Sequence, residues 1–385
     1  MQKMSFNEVY IVNTASYFPN DPVSNEEMEA YLGLINKNPS KSKRIVLRNN
    51  GIKRRFYALT KEGKATHTNA EMTAKAVKAL FDNDVAKLKS IELLSCGTSS
   101  PDQMMPSHGV MVHGELPEMR SVEVVSPSGV CCAGMHAFKY AYMAIKTGDV
   151  HTAVSTGSER FSASLRSEVF EDEAQKLKQL EENPYIGFEK EFLRWMLSDG
   201  ASAFLMSDKK NEKGFSFRIE WIEGVSYANE MEACMYMGSE KESDGTLKSY
   251  MDFSPEEILS KSLLSIKQDV KLLGENIVPL GGRKLKELFQ KKEMKPEEID
   301  YFLPHMSSEF FKAKIYDQLQ KNETPIPYDK WIINLDTLGN VGAGSVYFMV
   351  DELFHSDKLK EGQKILLLVP ESSRFSYMYA LLTVV

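Results

Sequence analysis

The order of apolar and polar positions predicts strands and helices that alternate along most of the chain. Short runs of apolar or β-branched residues bounded by turn residues predict strands. These runs are residues 8–15, 91–96, 121–126, 153–158, 199–206, 215–220, 299–304, 331–335, 364–369 and 377–385. Longer amphipathic or apolar segments without such turn residues predict helices at 68–80, 135–145, 255–273 and 345–354. This alternation favours an α/β fold of mostly parallel sheets with helices packed on and between them.

The junction between the strand at 121–126 and the helix at 135–145 carries the first candidate chemistry. A Pro-Ser-Gly turn leads from the strand to Cys131 and Cys132, and Ala133 and Gly134 follow directly. A thiol at a helix start lies beside unpaired backbone N–H groups and the positive end of the helix dipole, which lower its pKa. Cysteine is also commonly buried as a small hydrophobe, so this position alone leaves both interpretations open.

An internal repeat divides the chain into two similar halves. Ala133-Gly134 and Ala343-Gly344 each follow a strand and a small-residue turn, and they lie 210 residues apart. The segment 158–162 (SERFS) is echoed 214 residues later by 372–376 (SSRFS). We therefore expect an N-terminal half at 1–210, with a charged helical insertion near 165–192, and a C-terminal half at 211–385.

Composition narrows the functional classes. The 385 residues carry a formal net charge of −7, which gives no support for nucleic-acid binding. The four cysteines show no zinc-binding spacing, so a reduced, cytoplasmic protein without a metal site is expected. The sequence shows neither a signal peptide nor an apolar stretch long enough to span a membrane.

Three chemically active residues are predicted to meet at one edge of the sheets. Cys132, His305 and Asn340 each lie just past a predicted strand, where sites form in folds of this class. One interpretation is a papain-like thiol hydrolase, in which His is the base and Asn orients it. The other is a condensing enzyme, in which Cys carries an acyl group while His and Asn stabilise an enolate oxygen.

Several short motifs in a fixed order carry a resemblance to a known family. They are 44–46 (RIV), 51–55 (GIKRR), 105–107 (MPS), 130–134 (VCCAG), 199–201 (DGA), Pro304-His305 and Gly339-Asn340. In this order and spacing the sequence resembles the β-ketoacyl-ACP synthase III branch of the thiolase superfamily over almost its whole length.

The resemblance implies a five-layered αβαβα thiolase fold, a homodimer, and acyl-ACP or acyl-CoA thioesters as substrates with no further cofactor. It implies that Cys132 takes the acyl group and that His305 and Asn340 act on a malonyl or β-ketoacyl thioester. The implied substrate contacts are Met105, Arg48, Phe375 and Ser373, with Met105 as a gate reaching the partner subunit's acyl pocket. The implied contacts to an acyl-carrier protein are Arg44, Lys53, Arg54 and Arg55.

Three departures from the family pattern bear on the substrate. His305 is followed by Met-Ser-Ser rather than Gln-Ala-Asn, and Ser372-Ser373-Arg374-Phe375 replaces a Gly-rich turn that supplies an oxyanion-hole amide. Arg44 stands where relatives that use acetyl-CoA have a tryptophan, which favours a carrier-protein donor. The resemblance implies carbon–carbon bond formation by decarboxylative Claisen condensation in fatty-acid biosynthesis or, as these departures suggest, in a specialised polyketide pathway such as alkylresorcinol or aryl-pigment biosynthesis. The alternatives are a non-catalytic condensing-enzyme-like subunit that binds a carrier protein, and a thiol hydrolase.

Overall fold

The computed structural model describes residues 6–40, 42–168 and 192–385, so most of the predicted insertion near 165–192 lies outside the described residues. The strands are, in chain order, β1 (Tyr10–Tyr17), β2 (Val23–Ser24), β3 (Arg54–Arg55), β4 (Leu93–Gly97), β5 (Glu123–Val125), β6 (Thr152–Glu159), β7 (Gly200–Ser207), β8 (Phe217–Ser226), β9 (Met235–Tyr236), β10 (Ser239–Lys241), β11 (Leu247–Ser249), β12 (Lys267–Gln268), β13 (Tyr301–Pro304), β14 (Lys364–Glu371) and β15 (Ser376–Val384). The α-helices are α1 (Met28–Leu32), α2 (Lys43–Asn50), α3 (Asn69–Ala79), α4 (His108–Gly114), α5 (Cys132–Thr147), α6 (Pro255–Ser260), α7 (Val270–Lys291), α8 (Phe310–Lys321), α9 (Leu335–Leu338) and α10 (Ser345–Phe354).

The main sheet consists of two similar parts that meet at a short seam. Within the described residues its strand order is β13-β14-β15-β8-β1-β7-β6-β4-β5. The strands β4, β5 and β6 pair in parallel, as do β13 and β14, whereas β7 and β15 run antiparallel to their neighbours. Only two residue pairs, Tyr10 with Arg218 and Ile11 with Phe217, join β1 to β8. The predicted boundary near residue 210 lies in the β7–β8 connection, between Ser207 and Phe217.

Strand alternation divides the apolar side chains among the layers. Along β14, Ile365, Leu367 and Val369 pack in the central core, whereas Leu366 and Leu368 pack in the outer core beneath α7 and α8. On the other part of the sheet, the outer face packs against α3 and α4. The helices α5 and α10 lie between the two parts. This is the predicted five-layered αβαβα thiolase fold, which the structural comparisons below confirm.

Small residues allow the two central helices to start in contact with each other. A Cβ atom added to Gly134 would lie 2.3 Å from the Ala343 carbonyl oxygen, and one added to Gly157 would lie 2.4 Å from the same atom. The Tyr347 hydroxyl also donates a hydrogen bond to the Gly134 carbonyl at 2.8 Å. The Ala-Gly pairs of the internal repeat therefore meet at the centre of the molecule, and this contact fixes the start of α5.

Two predicted elements are wrong. The long helix expected at 255–273 ends at Ser260 as α6, and the chain then turns through Ser262, which has a positive φ of 48°, before α7 begins. The strand expected at 331–335 forms only one isolated bridge, from Trp331 to Phe302, because the chain turns directly into α9. No helix in the described part of the chain is both long and apolar enough to cross a membrane.

Candidate active site

The start of α5 forms the base of the candidate site. Backbone N–H groups of Val130 and Cys132 donate hydrogen bonds to the same carboxylate oxygen, Oε2 of Glu371, at 2.9 and 3.0 Å. Glu371 ends β14, and its other oxygen accepts a hydrogen bond from the Ser373 hydroxyl at 2.7 Å. A carboxylate from the C-terminal half therefore binds the N-terminal half at its central helix.

The two adjacent thiols have different surroundings. Cys132 is fully buried among the central core residues, and its Sγ donates to the Val369 carbonyl at 3.4 Å. Cys131 is partly exposed and lines a cavity together with His305 and Asn340. Of the two side chains it is therefore Cys131 that faces the cavity, whereas Cys132, the first residue of α5, turns toward the core.

The environment of both thiols favours the neutral form. Burial raises the pKa of Cys132 well above its ordinary value, and the nearby Glu371 charge raises it further. The pKa of Cys131 is raised by the same two causes, with a smaller contribution from Glu159. The expected lowering of the thiol pKa by the helix dipole is wrong here, because desolvation and a carboxylate on the helix start both oppose the thiolate.

His305 enters the site from the end of β13. Its backbone N–H donates to the Leu368 carbonyl of β14 at 2.8 Å, which continues the parallel pairing by one residue and fixes the histidine at the strand end. Its side chain is buried and lines the cavity, and burial lowers its pKa to about 4. The imidazole is therefore neutral near pH 7 and can donate a hydrogen bond without adding charge.

Asn340 reaches the same cavity from the loop between α9 and α10. Gly339 has φ of 72°, and the Asn340 backbone N–H donates to the Met196 carbonyl at 2.9 Å. The side-chain oxygen accepts from the Gly342 N–H at 2.9 Å, so the carboxamide NH₂ is the group that Asn340 can offer to a ligand. Two neutral donors, from His305 and Asn340, therefore share one cavity with Cys131.

An apolar cavity extends from these residues between α7 and α8. The space enclosed by its lining is about 990 Å³, counting the part that is open to solvent. Each of the two helices contributes to the lining a row of residues that lie about one helical turn apart. These residues are Leu273, Ile277, Gly281 and Leu285 from α7, and Phe311, Ile315 and Leu319 from α8. Such a lining suits an unbranched hydrocarbon chain, because apolar walls recover the hydrophobic free energy of each methylene.

The structure does not bring all predicted contacts together. Met105 is 85% exposed, and Arg48 is exposed on α2, so neither lines the cavity. Ser373 and Phe375 lie beside the site but outside the cavity lining, where Ser372 takes part instead. The prediction that Arg55 contacts a carrier protein is wrong, since its side chain is 0% exposed and donates to the Trp195 carbonyl.

The comparisons with known proteins agree with this architecture. The family description "3-Oxoacyl-[acyl-carrier-protein (ACP)] synthase III C terminal" matches residues 289–369. The β-ketoacyl-[acyl-carrier-protein] synthase III of Clostridium acetobutylicum is 23% identical over 371 residues, covering 93% of this chain and 94% of that protein. The chain is thus similar to β-ketoacyl-ACP synthase III over most of its length, and its C-terminal part matches the model of that family. The prediction of a β-ketoacyl-ACP synthase III-like acyltransferase is therefore confirmed at the level of the enzyme class.

Solved structures extend the likeness in fold beyond this synthase. The tetronic acid condensing enzyme AbyA1 aligns with a TM-score of 0.75 at 18% identity, covering 97% of this chain and 99% of that one. The OleA protein of Xanthomonas campestris, solved with lauric acid and lauroyl-CoA, aligns with a TM-score of 0.72 at 18% identity, covering 98% and 99%. At these identities the alignments establish the thiolase fold that the β-ketoacyl-ACP synthase III-like family shares with these enzymes.

Sequence reasoning missed two buried carboxylates at this site. Glu371 binds the start of α5, and Glu159 binds the backbone N–H of Ala343, just before α10, at 3.0 Å. Both end a strand of the main sheet, one in each half. The internal repeat contained the signal. Glu159 is the second residue of the repeated Ser-x-Arg-Phe-Ser segment in the N-terminal half, and Glu371 directly precedes that segment in the C-terminal half.

Proposed function

We propose that this chain forms a carbon–carbon bond by decarboxylative Claisen condensation of an acyl thioester with a malonyl or β-ketoacyl thioester. The observation that carries the proposal is the meeting of Cys131, His305 and Asn340 at one apolar cavity, with Cys132 next to Cys131 at the start of α5. A thiol can hold the acyl group there, while the neutral side chains of His305 and Asn340 can donate hydrogen bonds to an enolate oxygen. The apolar cavity favours a long acyl chain and a specialised product.

The chemistry divides into two half-reactions. Cys132 attacks the thioester carbonyl, the carrier thiol leaves, and an acyl-enzyme remains. A malonyl thioester then loses CO₂, and His305 and Asn340 donate hydrogen bonds to the enolate oxygen that forms. The resulting carbanion attacks the acyl-enzyme and releases Cys132. Cys131 is the second candidate for the residue that bears the acyl group, because its side chain already lines the cavity.

Intact-protein mass spectrometry tests this function directly. The protein is incubated with acyl-ACP and acyl-CoA donors of increasing chain length, and a mass increase equal to one acyl group is expected. Addition of malonyl-ACP should then remove the adduct and release labelled CO₂. A protein that binds acyl-ACP without any adduct would instead be a non-catalytic carrier-protein-binding subunit, and an adduct discharged by water alone would indicate a thiol hydrolase.

The cavity between α7 and α8 predicts a chain-length effect. Ile315→Trp should fill its middle and exclude the distal methylenes of a long chain. Each buried methylene contributes about 0.8 kcal/mol, so loss of four would weaken long-chain loading by roughly 3 kcal/mol, or about 100-fold. Loading by a two-carbon donor should change little. Adduct formation across the donor panel measures both effects.

A control substitution on α8 separates the effect of filling the cavity from the effect of disturbing the helix. Ala313 is exposed and lies outside the cavity lining, so Ala313→Trp should leave the chain-length profile unchanged. Thermal unfolding of both variants checks that each one folds. An unchanged profile in folded Ile315→Trp would show that the acyl chain binds elsewhere, for instance beneath Met105 of a partner subunit in the proposed homodimer.

The basic segment formed by α2 and β3 (residues 43–55) lies next to the site and supports a carrier-protein donor. The Asn49 carbonyl at the end of α2 accepts from the Ser308 hydroxyl, and the Asn50 carbonyl accepts from the Glu309 N–H, directly beyond His305. On the other side, Lys53 pairs with Asp336, ahead of Asn340. Arg44, Arg48, Lys53 and Arg54 are exposed. We propose that they steer an acidic carrier protein toward the site in the cytoplasm.

Charge reversal tests this donor. Arg48→Glu with Arg54→Glu should raise the KM for acyl-ACP on the order of tenfold at low salt, because electrostatic steering increases association rates. The effect should shrink near 0.15 M salt, where the Debye length is about 8 Å. Steady-state kinetics with acyl-ACP and with a small neutral acyl thioester measure it.

Two exposed lysines provide the matched control. Lys209 and Lys213 follow β7 at the sheet edge opposite the site, since Ser207 pairs with Thr152 at the start of β6. Reversal of both to Glu should leave the KM for acyl-ACP unchanged. Equal responses to the two double reversals, or equal responses of both substrates, would contradict carrier-protein steering by the α2–β3 segment.

A further inference from the structure

Glu371 accepts hydrogen bonds from the backbone N–H groups that acyl transfer needs as donors. Its side chain is 7% exposed, and its Oε2 accepts from the Val130 and Cys132 N–H groups. A thioester carbonyl that is attacked by a thiol gains negative charge on oxygen, and N–H groups beside the nucleophile are the usual donors to that oxygen. A carboxylate and a substrate oxygen therefore compete for the same two donors at the start of α5.

The other half of the molecule shows the same contact without a thiol. Glu159 accepts from the Ala343 N–H and from the Ser99 and Ser100 hydroxyls. The residues that follow Ala343, Gly344 and Ser345, carry no thiol or other strong nucleophile. Glu159 therefore binds a helix start for structural reasons, and it serves as an internal comparison for Glu371, which does so beside two thiols.

The thiols need a proton acceptor before they can react. Burial and the Glu371 charge keep them neutral, so acyl loading cannot draw on a preformed thiolate. The ionisable groups that face the thiols and Glu371 are Cys131 and His136 from α5, Glu159 from β6, Tyr377 and Tyr379 from β15, and His305 beyond β13. Two carboxylates are present in this region, Glu159 and Glu371. It is Glu371 that accepts a hydrogen bond from the Cys132 backbone N–H.

We propose that Glu371 holds the Val130 and Cys132 N–H groups until the donor thioester oxygen replaces it, and that it then accepts the Cys132 thiol proton. This role rests on the proposed function. A carboxylate that loses two hydrogen-bond donors becomes a stronger base, because those donors stabilised its charged form. When the substrate binds, Glu371 therefore changes from the hydrogen-bond acceptor of the two N–H groups to the base that takes the Cys132 proton.

The proton and electron pairs balance without any further reactant. The Cys132 S–H bond breaks and its proton passes to the Glu371 carboxylate, while Sγ forms a bond to the acyl carbon. The bond between the acyl carbon and the donor sulfur then breaks. The leaving thiolate takes the proton from Glu371, which returns as a carboxylate to the two N–H groups.

Glu371→Gln tests this role because it keeps an oxygen for the two N–H groups and removes the charge and the base. Alkylation by iodoacetamide, read at Cys131 and Cys132 by peptide mapping from pH 6 to 10, reports the thiol pKa. Removal of the charge should lower that pKa on the order of one unit, so alkylation near pH 7 should become about tenfold faster. Acyl loading should nevertheless fall roughly 100-fold, because the proton acceptor is gone.

These opposite changes separate the proposed role from simpler ones. A structural role would slow both alkylation and loading, and a purely electrostatic role would accelerate both. Glu371→Asp, which retains a carboxylate, should restore part of the loading. Glu159→Gln should leave the Cys132 alkylation profile unchanged. Loading by Glu371→Gln at the wild-type rate would overturn the proposal.

A second variant preserves the test if Glu371→Gln fails to fold. Ser373→Ala removes one hydrogen-bond donor from the Glu371 carboxylate and keeps the base. Acyl loading should fall severalfold, because the base loses a partner that positions it, whereas alkylation of Cys132 should be unchanged because the charge remains. Unchanged loading, or equal slowing of loading and alkylation, would contradict the role. Absence of any adduct in the wild-type protein would refute the proposed function, whereas equal loading by wild type and Glu371→Gln would remove only the role of Glu371.

Discussion

Cys132→Ala should abolish the acyl adduct, whereas Cys131→Ala should retain it. Cys132 is the thiol whose own backbone N–H belongs to the donor pair at the start of α5, so attack by its sulfur would place the carbonyl oxygen next to those donors. It also directly precedes Ala133 and Gly134, and the contact of Gly134 with Ala343 fixes the helix start. Intact mass after incubation with an acyl thioester, followed by peptide mapping, locates the adduct.

The position of the two side chains makes this a demanding test. The Cys132 side chain must leave its hydrogen bond to the Val369 carbonyl and turn toward the cavity, whereas Cys131 already lines it. Cys234 is a suitable control, because it is buried and donates to the Asp269 carbonyl, so Cys234→Ala should load normally. An adduct mapped to Cys131 in the wild-type protein, and kept in Cys132→Ala, would transfer the nucleophile's role to Cys131.

The sequence was sufficient to predict the layers and the meeting of His305 with Asn340. The continuous apolar run within residues 364–369 predicts a core strand, and that strand does present successive residues to two different cores. The repeated Ala-Gly pairs predict two equivalent helix starts, which the structure places in contact. Apolar runs and internal repeats are visible in the sequence itself, so they can be recognised before the fold of the chain is known.

The cavity and the carboxylates depend on contacts that are remote in sequence. The helix α7 contains Pro279, Gly281 and Gly282, residues that normally argue against a helix, so its cavity face could not be anticipated. Glu371 lies 239 residues from Cys132, and no local pattern links them. Their contact, and the resulting rise in the pKa of the thiols, follow from tertiary packing alone.

His305→Ala and Asn340→Ala should each retain acyl loading within a few-fold yet lose most CO₂ release from a malonyl thioester. Both residues offer neutral donors to the cavity, and loss of one donor to a developing oxyanion typically costs about 2.7–4 kcal/mol, or roughly 100- to 1,000-fold. Because burial lowers the pKa of His305 to about 4, its imidazole keeps one protonation state from pH 5 to 8. The CO₂ release rate of the wild-type protein should therefore show no acid limb from His305 in this range.

The two half-reactions provide the decisive comparison. Loading is followed by intact mass, and decarboxylation by labelled CO₂ on the preformed acyl-enzyme, so each variant gives two independent rates. His151→Ala is the matched control, since His151 is exposed and pairs with Asp208 at the sheet edge opposite the site. It should leave both rates unchanged. Equal loss of loading and decarboxylation in His305→Ala would indicate that His305 forms a thiolate–imidazolium pair with the nucleophile, as in thiol hydrolases, because an enolate donor is needed only after the acyl group is in place.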